Sequence, residues 1–394
     1  MKKSIMRKSP LVLCLLAVAA TVQADDARIK QLEARVDSMQ QDVRAAGQDR
    51  VRFNGFMSTG IARASNDAGY DGITETSEAQ SLTLFAIQGR FDISDATNAT
   101  VQLVARGQDD GRNEFETQLE WGYLTHNLDN GVRLRAGQMR LPFFMYSDAL
   151  ELGYAQPWAR SPLVVYDQIR LSNYTGADAT YSYQLGDGTM RTQVFSGHSS
   201  NDVDVAGAIT RIELRNLVGG VMTWTDYTWT LRGVAARADA SFDFISLNDD
   251  YEGEFYGLGL EYSEGNILLI SEATRRKVQG IFADQDSAYI TGGYRLGNIM
   301  PYVTAAWIET QDDSNRDGQV LESGLQQSFL NVKREDYSLG VRYDIMPGIA
   351  VKADWTHSRS FGQTDGGLDN NRDATGNVRF SHTNVYTLTL DAAF

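Results

Sequence analysis

The most constraining feature of this chain is an alternation of apolar and polar residues, with period two, that recurs from Val51 to Phe394. In the segment 337–344 the odd positions are Tyr, Leu, Val and Tyr, whereas the even positions are Ser, Gly, Arg and Asp. Such a pattern predicts extended strands with one apolar and one polar face. A barrel wall between lipid and water needs these two faces, but a soluble β-sandwich also alternates.

The connections between the strands separate these two folds, because short turns alternate with long polar loops. Short turns on one side and long loops on the other are typical of transmembrane barrels. The sequence therefore predicts an all-β transmembrane barrel of about 16 antiparallel strands over residues 50–394. The strand pattern is ambiguous at 210–236 and 267–277. Short turns are predicted at 95–98, 128–131, 186–188, 263–266, 297–298 and 346–348, and long loops at 66–80, 107–114, 141–171, 198–209, 238–250, 311–334 and 359–379.

Aromatic residues recur a few positions from these short turns. Amphipathic rings prefer the boundary between lipid and water, so we expect them to form a girdle on the outer face of the barrel. The residues concerned are Trp121, Tyr123, Tyr181, Tyr183, Tyr262 and Tyr343.

The first 24 residues have the pattern of a cleaved secretory signal. A positive segment is followed by the apolar run Leu11–Ala20, and small residues at Val22 and Ala24 suit a signal peptidase. Cys14 lies within this segment and is the only cysteine of the chain. The mature chain is therefore predicted to lack disulfides, thiolate metal sites and cysteine nucleophiles.

Residues 25–49 show a different period, which predicts a short α-helical coiled coil before the barrel. Apolar residues recur at steps of three and four, as in the seam of a coiled coil. About two heptads are marginal as an isolated helix, so the segment needs a partner. It is either an oligomerisation stalk, for which the seam alone favours a dimer, or a linker that folds against the barrel. The seam residues are Ile29, Leu32, Val36, Met39 and Val43.

Charge and motif content exclude several classes of function. The net charge of −15 argues against nucleic acid as a partner. The four histidines are scattered without ligand spacing, and no nucleophile lies in a motif with its base, so we expect no metal, no cofactor and no enzymatic activity. Asp313–Gly318 matches the first half of a calcium loop but lacks the closing glutamate, which favours a solvated acidic loop over a specific calcium site.

The C-terminal strand carries a resemblance to known proteins. Its apolar face ends in Phe394, and it resembles the signal by which the barrel-assembly machinery recognises outer-membrane proteins, although Ala392 stands where an aromatic residue is usual. With the leader and the turn pattern, the mature chain resembles bacterial outer-membrane porins of the general trimeric type. Among these it is similar to the DcaP-like porins, in which a short periplasmic coiled coil precedes the barrel. The signal comprises Tyr386, Leu388, Leu390 and Phe394.

This resemblance implies a location and a set of partners. The protein would be integral to the outer membrane of a Gram-negative bacterium, surrounded by lipid and lipopolysaccharide, with its N-terminal stalk in the periplasm. It would form a homotrimer, which overrides the dimer preference of the bare heptads. Small polar solutes and ions would cross it by passive diffusion. A substrate-specific channel for anions, carboxylates or sugars, and a structural barrel, are the alternatives.

The longest insertion, 141–171, is rich in apolar residues, which does not suit a freely solvated loop. The resemblance implies that it folds into the lumen, and an outer flap or a contact between protomers is the alternative. Asp148, Glu151 and Arg160 of the loop would then line a constriction. Strand arginines would oppose the two acids of the loop and create a transverse field. Alternatively, these arginines pair with wall acids such as Glu116 and Glu120. The strand arginines are Arg106, Arg133 and Arg135.

Overall fold

The computed structural model describes residues 50–107, 115–169, 171–205, 208–242, 251–280, 282–316 and 326–394. The predicted signal (1–24) and the predicted coiled coil (25–49) lie outside these ranges, as do residues 317–325, which include the last two residues of the Asp313–Gly318 motif. The described ranges contain the whole barrel wall.

Sixteen antiparallel strands form a closed barrel in which each strand pairs with its neighbours in sequence and β16 returns to pair with β1. The predicted strand number is confirmed. The strands are β1 (Val51–Ala64), β2 (Leu84–Asp92), β3 (Thr97–Arg106), β4 (Thr117–Asn127), β5 (Arg133–Arg140), β6 (Asn173–Leu185), β7 (Gly188–Val205), β8 (Ala208–Thr225), β9 (Trp229–Phe242), β10 (Tyr251–Glu264), β11 (Ile267–Val278), β12 (Gln285–Tyr294), β13 (Ile299–Thr310), β14 (Lys333–Met346), β15 (Ile349–Arg359) and β16 (His382–Ala393).

Helices are few and short in the described part of the chain. Leu163–Tyr166 and Asp313–Arg316 form single α-helical turns, and Ser147–Ala149, Gly153–Ala155 and Gln327–Leu330 form 3₁₀ turns. None of these helices has the length and hydropathy needed to cross a bilayer.

The pairing of β1 with β16 closes the barrel and extends to Phe394. The backbone N–H of Gly55 donates to the carbonyl oxygen of Phe394 at 2.8 Å, and the N–H of Phe394 donates to the carbonyl oxygen of Gly55 at 2.9 Å. A sheet closed in this way has no free edge, so the backbone polar groups of its first and last strands are satisfied.

The outer face carries large exposed apolar side chains between two sets of aromatic residues. Tyr337 and Tyr343 on β14 mark the two levels, six residues apart or about 20 Å along the strand. The end of the barrel that carries the long connections is here called the loop end, and the other the turn end. Near the turn end lie Tyr181, Tyr183, Trp229, Tyr294 and Tyr343, and near the loop end Tyr256, Trp307, Tyr337, Trp355 and Tyr386, all of them exposed.

The girdle prediction is wrong for Trp121 and Tyr123, because a β-bulge in β4 changes the register. Gln102 pairs with Trp121 and Leu103 with Leu119, so Glu120 is an extra residue. Beyond a bulge the two faces of a strand exchange. Tyr123 consequently packs against buried residues inside the barrel rather than facing outward.

The predicted loop at 198–209 is also wrong. β7 continues to Val205 and β8 begins at Ala208, so the two strands form a hairpin that extends far beyond the shorter strands. Where a strand projects past the lipid both of its faces meet water, and the apolar alternation that marks a strand is lost. The structure also has connections at 226–228 and 279–284 that the sequence pattern does not reveal.

The apolar outer face gives a test of the membrane orientation. Leu339 is 55% exposed at the centre of β14, whereas Ile345 is 45% exposed beside the turn end. We expect Leu339→Arg to lower the free energy of unfolding in lipid vesicles by about 2–4 kcal/mol, and the control Ile345→Arg by about 0–1 kcal/mol. Equal losses, measured by urea titration with tryptophan fluorescence, would contradict a hydrocarbon environment around Leu339.

Candidate functional site

The segment 141–172, here called the inner loop, connects β5 to β6 and lies inside the barrel. The Phe143 ring stacks on Phe255 with centroids 4.7 Å apart. The Trp158 ring meets Tyr289 edge-on at 5.6 Å, and its indole N–H donates to the Thr291 hydroxyl at 2.8 Å. These partners are buried residues on the inner faces of β10 and β12. The prediction that this insertion folds into the lumen is confirmed.

Three cationic side chains of the wall hold the inner loop by its backbone. They are Arg232 on β9, Arg342 on β14 and Lys352 on β15. Arg232 donates hydrogen bonds to the carbonyl oxygens of Pro142 and Phe143. Arg342 donates to those of Tyr154 and Gln156. Lys352 donates to those of Gly153 and Trp158. Hydrogen bonds from a charged donor are stronger than neutral ones, so the path of the loop is firmly set.

Lys352 is also part of a buried ion pair beneath the loop. Its Nζ atom lies 2.9 Å from an Asp391 carboxylate oxygen, and the two side chains are 1% and 3% exposed. Asp391 also accepts a hydrogen bond from the Ser58 hydroxyl at 2.6 Å. The ion pair therefore connects β15, β16 and β1 to the inner loop at the seam where the barrel closes.

Two carboxylates of the wall anchor the inner loop near both of its ends. Glu272 on β11 is buried and accepts hydrogen bonds from the backbone N–H of Met145 at 2.7 Å and from the Tyr166 hydroxyl at 3.0 Å. The Tyr146 hydroxyl donates to Glu261 at 2.6 Å. Burial raises the pKa of both tyrosine hydroxyls above the usual value, so they remain neutral donors at physiological pH.

Two of the predicted constriction residues, Arg106 and Glu151, are in direct contact. Arg106 also pairs with Glu120 on β4 at 2.5 Å. Arg140 contacts Glu120 as well and lies 3.7 Å from Glu151, so two arginines and two glutamates form one cluster. Arg106 thus combines both arrangements considered from the sequence, since it contacts an acid of the loop and an acid of the wall.

Three other predicted residues lie nearer the turn end. Arg135 pairs with Asp178 of β6 at 2.6 Å, and Asp178 is fully buried. Arg133 and Asp148 are exposed, and neither forms an ion pair with a described residue. Asp148 lies close enough to act electrostatically on Arg135. These residues place charges of both signs beside the inner loop.

Arg160 is separated from the other predicted residues. It pairs with Asp71 in the connection between β1 and β2, and its guanidinium lies 5.8 Å from the centre of the Tyr70 ring. The structure therefore places Arg160 where the inner loop meets a loop-end connection, rather than in the cluster with Arg106.

Four residues of this site were not predicted from the sequence: Arg140, Arg232, Arg342 and Lys352. Arg342 and Lys352 stand on the polar face of an alternating strand, which is a signal for the lumen but not for a partner. Their partners are backbone carbonyl oxygens, and a sequence pattern cannot specify which carbonyl groups a folded loop presents.

A cavity of 1690 Å³, here called the vestibule, lies on the loop-end side of the charge cluster. Arg106, Glu120 and Glu151 line it together with residues of the loop-end connections, among them Asp71 and Asp365. Within the described ranges, no group of three or more His, Cys, Asp or Glu residues is arranged to hold a metal ion.

Comparison with solved structures places this architecture among known barrels. An anion-selective porin from Comamonas acidovorans superposes with a TM-score of 0.57 at 13% identity, over 87% of this chain and 99% of that chain. The chain has the fold of bacterial porins. The outer-membrane channel DcaP of Acinetobacter baumannii gives 0.56 at 12% identity (87% and 97% covered), and the trimer form of OmpT, an outer-membrane protein of Vibrio cholerae, gives 0.52 at 11% (87% and 99%). No protein-family model and no curated protein matches the sequence.

The buried lysine gives a test of how the inner loop is held. We expect Lys352→Met to destabilise the barrel by about 3–5 kcal/mol, because Asp391 would remain buried without its cation. The matched control is Lys333→Met, which breaks an ion pair with Glu309 whose side chains are 50% and 45% exposed. This control should cost about 0–1 kcal/mol. If urea unfolding gave equal losses for the two variants, Lys352 would have no special role in holding the loop.

Proposed function

We propose that this chain is an outer-membrane porin, which forms a water-filled channel for passive diffusion of small hydrophilic solutes and ions across the outer membrane of a Gram-negative bacterium. The observation that carries the proposal is an inner loop held inside a closed barrel whose outer face is apolar. Lipid and lipopolysaccharide would surround the barrel. The loop would narrow the lumen and bring charges to its margin. No catalytic role is assigned to any residue.

The charges suggest how the channel would discriminate between ions. Arg106 and Glu151 neutralise each other by direct contact, so they contribute little net field. Asp148 and Arg133 are exposed and have no ion-pair partner among the described residues, so a permeating ion would meet charges that no fixed partner neutralises. Fixed charges of both signs near a narrow passage set ion preference through their combined field.

A substrate-specific channel is the second candidate, and the vestibule favours it. Its walls combine carboxylates with cationic and apolar groups, which could hold an organic solute before it reaches the charge cluster. Single-channel recording with candidate solutes distinguishes the two functions. A saturable block at low solute concentration supports the specific channel, whereas a linear open current without block supports general diffusion.

The selectivity proposal predicts opposite effects for two neutralising substitutions. Asp148→Asn removes an exposed negative charge and should shift the reversal potential in a salt gradient towards anion selectivity. Arg133→Gln removes an exposed positive charge and should shift it towards cation selectivity. Both shifts follow from the change in local ion concentration near a fixed charge. Shifts in the same direction, or none, would show that these residues do not act on permeating ions.

We also propose a homotrimer with an N-terminal periplasmic stalk, inserted by the barrel-assembly machinery through its last strand. The trimer form of one barrel with the same fold supports the trimer, and the heptads of 25–49 support the stalk. The side chains of Tyr386, Leu388, Leu390 and Phe394 project from one face of the last strand and are exposed, as a recognition signal requires.

Removal of residues 25–49 tests the stalk. We expect the shortened protein to conduct like the full mature chain, because the pore lies in the barrel, but its trimers should dissociate at a lower temperature. Contacts between coiled-coil seams join the subunits, so their removal lowers the stability of the oligomer. Native gel electrophoresis after heating gives the comparison. An unchanged dissociation temperature would favour a linker folded against the barrel.

A further inference from the structure

An apolar pocket lies between the inner loop and the wall formed by β8 to β11, near the loop end. This side pocket has a volume of 190 Å³ and its wall is mainly apolar. It adjoins the vestibule, because Phe143, Ile169 and Leu171 line both spaces. Its other walls include Leu217, Ala238 and Phe255. The side pocket is therefore an apolar recess beside the vestibule.

The volume limits the occupant to a molecule with one ring. An apolar cavity of roughly 150 Å³ stays dry and binds benzene, so 190 Å³ accommodates a benzene ring with one or two small substituents. Small side chains leave this space: Ala236, Ala238 and Ala240 on β9 and Gly253 on β10 all contribute to the lining.

Two buried polar atoms at the pocket have no partner among the described residues. They are the Oε1 acceptor of Gln168, whose side chain belongs to a residue only 4% exposed, and the Nε–H donor of Arg276. The orientation of the Gln168 amide is set, because its Nε2 group donates to the carbonyl oxygen of Gln285 at 3.0 Å. Both residues line the side pocket, and leaving this donor and this acceptor unpaired is unfavourable.

These two atoms belong to residues in direct contact. The Nη1 group of Arg276 donates to the backbone carbonyl of Gln168 at 2.8 Å, and its Nη2 group donates to the carbonyl of Ala283 at 3.3 Å. Asp167, Asp284 and Asp312 lie close enough to act electrostatically on the Arg276 guanidinium, and so does the like charge of Arg316. Three carboxylates thus face two cations, so an anionic ligand is not required to balance the charge.

We propose that the side pocket binds a small neutral molecule with a single ring and one hydroxyl group, such as a simple phenol. A hydroxyl group both accepts and donates, so it would accept from Arg276 Nε and donate to Gln168 Oε1. A carboxylate only accepts, and it would leave Gln168 unpaired beside a negative group. The site goes beyond the proposed channel function, because binding in a wall recess does not depend on conduction.

The test uses the mature protein in lipid nanodiscs, with p-cresol as the probe and isothermal titration calorimetry as the measurement. We expect one saturable site per chain, and at least a tenfold weaker affinity for p-toluate, which has the same ring and methyl group but carries a carboxylate. Ala238→Leu fills the pocket and should weaken p-cresol binding at least tenfold. Ala235→Leu, an exposed position on the other face of β9, is the matched control and should bind like the wild type.

A second variant tests the hydroxyl contact without changing the pocket volume much. Gln168→Leu removes the acceptor and should reduce the preference for p-cresol over p-toluate, even if Ala238→Leu fails to fold. Equal, non-saturable uptake by every variant would mean partition into lipid only and would overturn the proposal, as would equal affinities for the two probes in the wild type. Absence of conductance in a planar bilayer would instead refute the porin function and leave the binding result standing.

Discussion

The structure depends on closure of the backbone hydrogen-bond ladder between β1 and β16. In hydrocarbon an unpaired N–H or C=O group has no water to bind, so a sheet can cross a bilayer only if it has no open edge. The reciprocal bonds between Gly55 and Phe394 complete this closure at the last residue of the chain. Once the wall is closed, alternate residues of every strand must face either lipid or lumen, and the rest of the architecture follows from that division.

One side of the inner face of this wall is apolar. From β7 to β13 the inward side chains include Phe195, Val221, Ile270, Tyr289 and Ile308, all of them buried. Water in the lumen could not solvate such a surface favourably. The inner loop covers it with Phe143, Phe144, Trp158 and Val165, so that hydrophobic burial and backbone hydrogen bonds both hold the loop against one side of the barrel.

The sequence predicted the parts of the fold in which one face of a strand is apolar and the other polar. The pattern was ambiguous in β11, where Leu268 and Ile270 face the inner loop and Ile267 faces outward, so both faces are apolar. It was also ambiguous in β8, where Asn216 has a positive φ of 50° and the register shifts between Arg215 and Val218. A bulge of this kind exchanges the two faces without a strong signature in the sequence.

The candidate site was predicted only in part, for a related reason. Opposite charges on the loop and the wall were visible, and the structure brings Arg106 and Glu151 into contact. The position of Arg160 depends on how the inner loop meets the connection after β1, which is a long-range property of the folded chain. The hydrogen bonds that Arg232, Arg342 and Lys352 donate to the loop backbone depend on the same long-range structure. Because these cations hold carbonyl groups, which every amino acid possesses, and aromatic side chains hold the loop against the wall, the route of the inner loop does not depend on exposed charged residues such as Asp148. The electrical character of the passage can therefore diverge between related barrels, or be redesigned, while its shape stays the same.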